Sequence, residues 1–375
     1  MKKNKNPFMI IAIHLGIIIA LLILFGNILL NLYEERQAMT MMTKLEAGIN
    51  IGNDLDVKGI DSGAGELTIE EFESYWGNVP VTNKVFEAIA SEGFKTVRIP
   101  VSWCEHLDSD GNVLPEWKER VHEVVDMALG QGLYVILDNH HEDFIIPTYE
   151  HEEEIKTKLA KLWEQIASEY ASYDEHLLFE GMNEPRLKGT DEEWKGGTDE
   201  ARDVINHLNQ VFIDTVRKSG GNNKKRYLLI PAYASSSRTD ALTALAIPDN
   251  DKHLMVSIHG YLPYHFTDSG KGNEIWEADN EKYTREIEEL HKTVKNLFLD
   301  NHIPVIISEF GCEEKKSEEE RLKWLEFYVK PLAEMGVPCV WWDNGDEYRM
   351  LDRENGSIFN QELVDKFLGF YKHNA

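Results

Sequence analysis

The 375-residue chain carries 66 acidic against 39 basic residues, a formal net charge of −27. That balance excludes nucleic acid as a partner, because phosphates would be repelled, and it disfavours anionic polysaccharides while leaving neutral sugars open. A hydrophobic fraction of 42% supports one sizeable core, and three cysteines (Cys104, Cys312 and Cys339) neither build a disulfide framework nor share metal-ligand spacing.

In chain order the first element is an apolar stretch at 8–32, in which His14 is the one strongly polar residue as far as Gly26. At about 1.5 Å per residue it is long enough to cross a hydrocarbon core of about 30 Å. Lys2, Lys3 and Lys5 precede it, and Glu34, Glu35 and Arg36 follow it. The positive-inside bias then predicts a basic cytoplasmic tail at 1–7, a transmembrane anchor at 8–32 and a globular part outside the cell membrane. A cleaved signal peptide, which would leave a secreted protein, is the alternative; its apolar core usually runs only about 7–15 residues. Residues 33–45 read as a short polar connector.

Beyond the connector, strands and helices alternate. Strands are predicted at 48–51, 96–99, 134–138, 176–180, 226–230, 253–257, 304–308 and 338–342, each a short apolar run bounded by turn residues. Helical periodicity fills 82–91, 115–131, 153–170, 198–218, 235–246, 280–301, 317–335 and 361–371, with Gly93, Gly132 and Gly336 as stop signals. Eight strand–helix units over 46–375 predict an α/β fold, a (β/α)8 TIM barrel forming one catalytic domain. A doubly wound sheet would show a glycine-rich phosphate loop after the first strand, and Asn50-Ile51-Gly52-Asn53 is not one. Cys104 and Cys339 read as small buried hydrophobes.

In such a barrel the residues just past each strand share one cleft. They are Asn53, Arg98, His140 and His141, Asn183 and Glu184, His259 and Tyr261, Glu309, and Trp342. Each has a bland explanation taken singly, as an ion-pair partner or a core residue; their convergence at one end of the barrel does not. Glu184 and Glu309 each follow a short apolar run, and two nearby carboxyls are the minimum equipment for cutting a glycosidic bond. Arg98 beside Glu309 would keep it ionised, and the charge of Glu309 would hold Glu184 protonated. Tyr261 would orient the nucleophile, Asn183 would meet a sugar 2-hydroxyl, and Trp342 would offer a flat face to a pyranose ring. Glu180 is expected to point into the barrel, bonded to its neighbours. The His140-His141-Glu142-Asp143 cluster lacks the helical spacing of a zinc hydrolase, so neither a metal nor a cofactor is expected.

The ordered motifs resemble glycoside hydrolase family 5. They are Ile51-Gly52-Asn53-Asp54-Leu55-Asp56, Trp76-Gly77-Asn78, Thr96-Val97-Arg98-Ile99-Pro100, Asn183-Glu184-Pro185, His259-Gly260-Tyr261-Leu262-Pro263, Ser308-Glu309-Phe310-Gly311 and Trp341-Trp342-Asp343-Asn344-Gly345. Trp-Gly-Asn, His-x-Tyr-x-Pro and Trp-Asp-Asn-Gly look most like subfamily 4, dominated by endo-β-1,4-glucanases. The resemblance implies a retaining endo-acting β-glycanase with Glu184 as acid/base and Glu309 as nucleophile. By the same resemblance Arg98, His140, Asn183, His259, Tyr261 and Trp342 match the remaining active-site positions, with His141, Asn53 and Trp341 as secondary contacts. Ile49 departs from the pattern, which has an aromatic there. The expected partner is a polysaccharide or oligosaccharide: cellulose-type, mixed-linkage glucan or xyloglucan. Xylan or mannan, or glycan binding without turnover, are the alternatives. Tyr264, Phe266, Trp276 and Trp194 on the longer loops are candidate sugar-stacking residues or loop packing.

Overall fold

The computed structural model describes residues 7–60, 67–141, 143–268 and 274–372. Lys2, Lys3, Lys5 and Glu142, which entered the topology and metal arguments, lie outside the described residues. The strands are β1 (Ala47–Asn50), β2 (Thr96–Ile99), β3 (Tyr134–Asp138), β4 (Leu177–Glu180), β5 (Leu228–Ser236), β6 (Leu254–His259), β7 (Val305–Phe310) and β8 (Cys339–Trp341). They close into one barrel in sequence order, and the β1–β8 pair that seals it is parallel like the rest. Strands covered on both faces need apolar residues throughout, which is why the runs read as continuous rather than alternating. The TIM-barrel prediction is met.

Helices follow the strands as the periodicity predicts, with two differences. After β5 only Thr239–Thr243 is helical, because the strand itself runs on to Ser236. After β6 the α-helix Glu281–Thr293 gives way to a π-turn at Val294–Phe298. Cys312 and Cys339 are free and buried, and Cys104 is half-buried.

The N-terminal segment differs more. A single helix, Pro7–Leu45, spans 39 residues, so 33–45 is helical rather than a connector. The reason lies in its spacing. Ala38, Met41, Met42 and Leu45 fall at i, i+3, i+4 and i+7, one helical face, and all four are buried. That face closes the barrel floor: Val305 N–H at the start of β7 points to Met42 Sδ (3.4 Å), and Thr96 Oγ1 at the start of β2 donates to the Leu45 carbonyl (2.7 Å). Glu35 pairs with Lys252 at 3.1 Å, ahead of β6. Farther out, the side chains of Leu21, Leu22, Ile23, Leu24 and Phe25 are each more than half exposed, and this helix is long and apolar enough to cross a membrane.

Candidate active site

Arg98 organises the upper barrel. It is fully buried in β2, where a planar guanidinium presents donors in fixed directions. Nε donates to Glu180 Oε2 (2.5 Å); one terminal nitrogen donates to Asn50 Oδ1 (3.0 Å) and Glu309 Oε1 (2.6 Å). The other donates to Asn183 Oδ1 (2.8 Å) and lies 2.7 Å from Asp138 Oδ2. One side chain thus fastens β1, β3, β4 and β7. Burial works against its charge, but Glu180, Asp138 and Glu309 more than offset this and raise its pKa. Glu180 is turned inward, also accepting from Ser257 Oγ, as its position predicted.

Glu309 sits within β7, and Tyr261 OH donates to its second oxygen at 3.0 Å. Glu184 lies four residues beyond the end of β4, in a loop whose Asn183 N–H bonds the Asn139 carbonyl (3.0 Å). His259, at the end of β6, stands between the two carboxylates: Nδ1 is 2.9 Å from Glu184 Oε1 and 3.5 Å from Glu309 Oε2. Ligand atoms of Glu184, His259 and Glu309 all lie within 4.8 Å of one another.

Ionisation in this trio is linked through His259, whose pKa is raised: burial opposes its charge, but the two glutamates outweigh it. With His259 charged, Glu184 is carried down to about 2; burial pushes it up, but the His259 hydrogen bond and charge, then Arg186, prevail. Glu309 is pushed up by burial, against the pull of His259 and Arg98. This balance is the reverse of the sequence expectation, in which Glu309 is the ionised carboxyl and Glu184 the protonated one: His259, 2.9 Å from Glu184 Oε1, draws the negative charge to Glu184.

His140 packs parallel to Trp342, with ring centroids 5.7 Å apart and an interplanar angle of 3°. Burial, then Arg98, drives its pKa well down, so it is neutral, and Nδ1–H donates to Asp138 Oδ2 (2.7 Å). Trp342 lies over Gly52, where a β-carbon would stand 2.5 Å from the indole; only glycine admits that approach. His141 meets Trp76 edge-on at 6.0 Å. Asn53 takes a left-handed φ of 63° on the rim, and its carbonyl accepts from Asn78 Nδ2 at 3.0 Å.

Eight of the ten predicted residues therefore form the carboxylate pair, its immediate partners or the aromatic face beside it, and His141 and Asn53 stand at the edge. Trp341 does not join them: it is fully buried against Phe310 and Trp324, its indole N–H bound to the Tyr348 carbonyl. The loop aromatics divide likewise. Phe266 and Trp276 are buried against each other, whereas Trp194 and Tyr264 are 58% and 62% exposed and line a cleft of about 800 Å³ with Glu184 and His259.

Several residues escaped the sequence argument. Asn50 and Asp138 had a signal, a polar group inside an apolar run. Arg186 follows the Asn-Glu-Pro turn and reaches Glu184 Oε2 at 3.3 Å while stacking over Trp194 at 4.2 Å. Arg353 had no local signal; it binds Asp54, the Gly52 carbonyl (2.7 Å) and Asp343 Oδ1 (2.7 Å), locking the β1 and β8 loops together. Asp56, His140 and His141 also bring ligand atoms within 4.8 Å; burial lowers the pKa of His141 to about 2, with His140, Lys58 and Lys188 adding to it.

Residues 56–348 match the family model described as Cellulase (glycosyl hydrolase family 5). The chain is 40% identical to Endoglucanase A of Ruminococcus albus, over 89% of this chain and 93% of that one. It is 38% identical to Endoglucanase A of Clostridium longisporum, over 90% of this chain and 66% of that longer protein. Among solved structures, a GH5-4 broad specificity endoglucanase from Clostridium longisporum superposes with a TM-score of 0.84 at 36% identity, covering 90% of this chain and 98% of that one. Fold, motifs and comparisons agree: the chain is a glycoside hydrolase and belongs to family 5.

Proposed function

We propose that the chain is a retaining endo-β-1,4-glucanase of broad specificity, acting on linear or mixed-linkage β-glucan and xyloglucan. The observation that carries this is the pair Glu184 and Glu309, with carboxylate oxygens within 4.8 Å. Retaining glycosidases hold their carboxyls about 5–5.5 Å apart, too close for an intervening water. Glu309, which accepts from Arg98 and Tyr261, attacks the anomeric carbon as the carboxylate. Glu184 gives its proton to the departing oxygen, then takes one from the water that releases the glycosyl group from Glu309. Asn183 spends its Oδ1 on Arg98 and keeps its amide N–H groups for the sugar 2-hydroxyl. His140 keeps Nε2 as an acceptor, and Trp342 supplies the apolar face. Trp194 and Tyr264 receive the leaving-group side of the polymer.

The apolar part of the N-terminal helix is read as a membrane anchor that holds this domain on the extracytoplasmic face. Its side chains are exposed on all sides, which suits lipid better than water. The mass of the mature chain separates an anchor from a cleaved signal.

The deciding measurement is reducing-sugar release by a fragment starting at Tyr33, across β-glucans, xyloglucan, xylan and mannan. Activity on β-1,4-glucans is expected, reduced ~10²–10⁴-fold in Glu184→Gln and at least as far in Glu309→Gln. Release from xylan or mannan alone would move the substrate; no release from any polymer would overturn the reading.

A further inference from the structure

Among the described residues β5 sends no group to the reacting set, yet its end departs most from regular pairing. Pro231 faces Ser257 of β6 and Ser236 faces His259, so five steps along β5 match two along β6. Within the resulting bulge Ala234 and Ser235 both hold left-handed φ, 55° and 47°. Two successive non-glycine residues adopt that conformation only where surrounding contacts enforce it. Tyr233, Ala234 and Ser235 are all buried.

The bulge grips the loop that carries Glu184. Ser235 Oγ donates to the Asn183 carbonyl, Ala234 N–H donates to the Pro185 carbonyl (2.9 Å), and Tyr233 OH accepts from Leu187 N–H (3.0 Å). The contacts fall at 183, 185 and 187, so the backbone is fixed immediately before and after Glu184. A tie that merely closed the loop would bond its ends. Here the Asn183 carbonyl, held by Ser235, belongs to the very peptide that joins Asn183 to Glu184. Bulges beside active sites commonly re-aim a side chain in this way.

We propose that Ser235 is a positioning residue for proton transfer: through the Asn183 carbonyl it sets the direction in which Glu184 presents its carboxyl proton to the departing glycosidic oxygen. This rests on the reading of Glu184 as the general acid. In that step the Glu184 O–H bond breaks as the new O–H bond forms on the leaving sugar. The electron pair of the glycosidic bond stays on that oxygen, and a Glu309 oxygen bonds the anomeric carbon.

The test uses the full chain in detergent and compares kcat/KM on cellotetraose, whose leaving sugar needs a proton, with 2,4-dinitrophenyl β-cellobioside, whose phenolate does not. Ser235→Gly removes the hydroxyl while tolerating the left-handed backbone, and Ser235→Ala is the second variant. Both should lose ~10–100-fold on cellotetraose, the cost of a misplaced group. On the activated glycoside they should stay within about twofold, since acid assistance is not needed there. Equal loss on the two substrates, or none on cellotetraose, overturns the proposal. Glu184→Gln runs alongside. If it shows the same leaving-group dependence and the Ser235 variants do not, only the role of Ser235 fails. If Glu184→Gln loses equally on both substrates, Glu184 is not the acid and both readings fall.

Discussion

Arg98 bonds or pairs with five side-chain oxygens, on Asn50, Asp138, Glu180, Asn183 and Glu309, with one buried guanidinium. A lysine keeps the charge but not the planar fork, and its three donors cannot reach partners on four strands. Arg98→Lys is therefore expected to cut kcat/KM on cellotetraose by ~10²-fold, since Glu309 and Asn183 lose their orientation. Arg98→Met leaves three buried carboxylates uncompensated and should cost ~3–5 kcal/mol in urea unfolding; an unchanged midpoint would show that Arg98 is not what holds them. At this scale the sequence identified the residue types but not all their addresses. Trp341 and Trp342 are neighbours on and just past a strand, so their side chains take opposite faces. Nothing local says which belongs to the core; Phe310 and Trp324 decide it from distant parts of the chain. Arg353 was unreadable for the same reason, since its partners Asp54 and Asp343 lie on other segments.

At the scale of elements, apolar runs and glycine stops were enough to place all eight strands and the barrel they form. Two elements were misread where tertiary contacts override local pattern. Residues 235–246 have helical spacing, but β5 continues into the bulge that holds the Glu184 loop. Residues 33–45 looked polar because Glu34, Glu35 and Arg36 open the segment, although the face formed by Ala38, Met41, Met42 and Leu45 was present in the spacing. The helical tail has a measurable consequence. Met41, Met42 and Leu45 are fully or nearly buried, and such side chains contribute roughly 1.5–3 kcal/mol each. A fragment starting at Glu46 should therefore unfold well below one starting at Tyr33, by ~5 kcal/mol at the same urea concentration. Equal stability of the two fragments would mean that the floor does not need the helix. A fragment starting at Met39 retains the three large side chains and loses Ala38 and the Glu35–Lys252 pair, so it should fall only slightly.

For the whole molecule the decisive quantity is the net charge of −27 together with carboxyls buried among one another. Burial pushes Asp54 up to about 7, with Arg353 pulling the other way, and pushes Asp138 up to about 6 against Arg98 and the Val101 N–H. In the unfolded chain both would release their protons near the ordinary value of about 4. At these two sites the folded state thus binds more protons than the unfolded one between about pH 4 and pH 7, so their contribution to stability falls as pH rises through that window and levels off above it. Buried His106, His140 and His141, whose pKa values burial lowers, act the other way below about pH 6.5, where the unfolded chain takes up protons that the folded one does not. Carboxylates whose pKa is lowered act in the same direction as these histidines and at lower pH. Glu154 beside Lys158 and Glu319 beside Lys323 favour the folded state once ionised, and that contribution fades as pH drops below about 4. Self-repulsion of the surplus acidic groups adds to the decline on the alkaline side. The melting temperature is accordingly expected to rise from pH 8 to about pH 6.5, where the buried histidines begin to oppose the trend, and to fall below about pH 4. Asp54→Asn can still accept from Arg353 and has no charge to bury, so it should flatten the upper part of that curve. A melting temperature that is level or increasing from pH 6.5 to pH 8 would show that the raised carboxyls are not protonated in the folded protein. The Arg98 and Arg353 networks would then carry full negative charge on every partner.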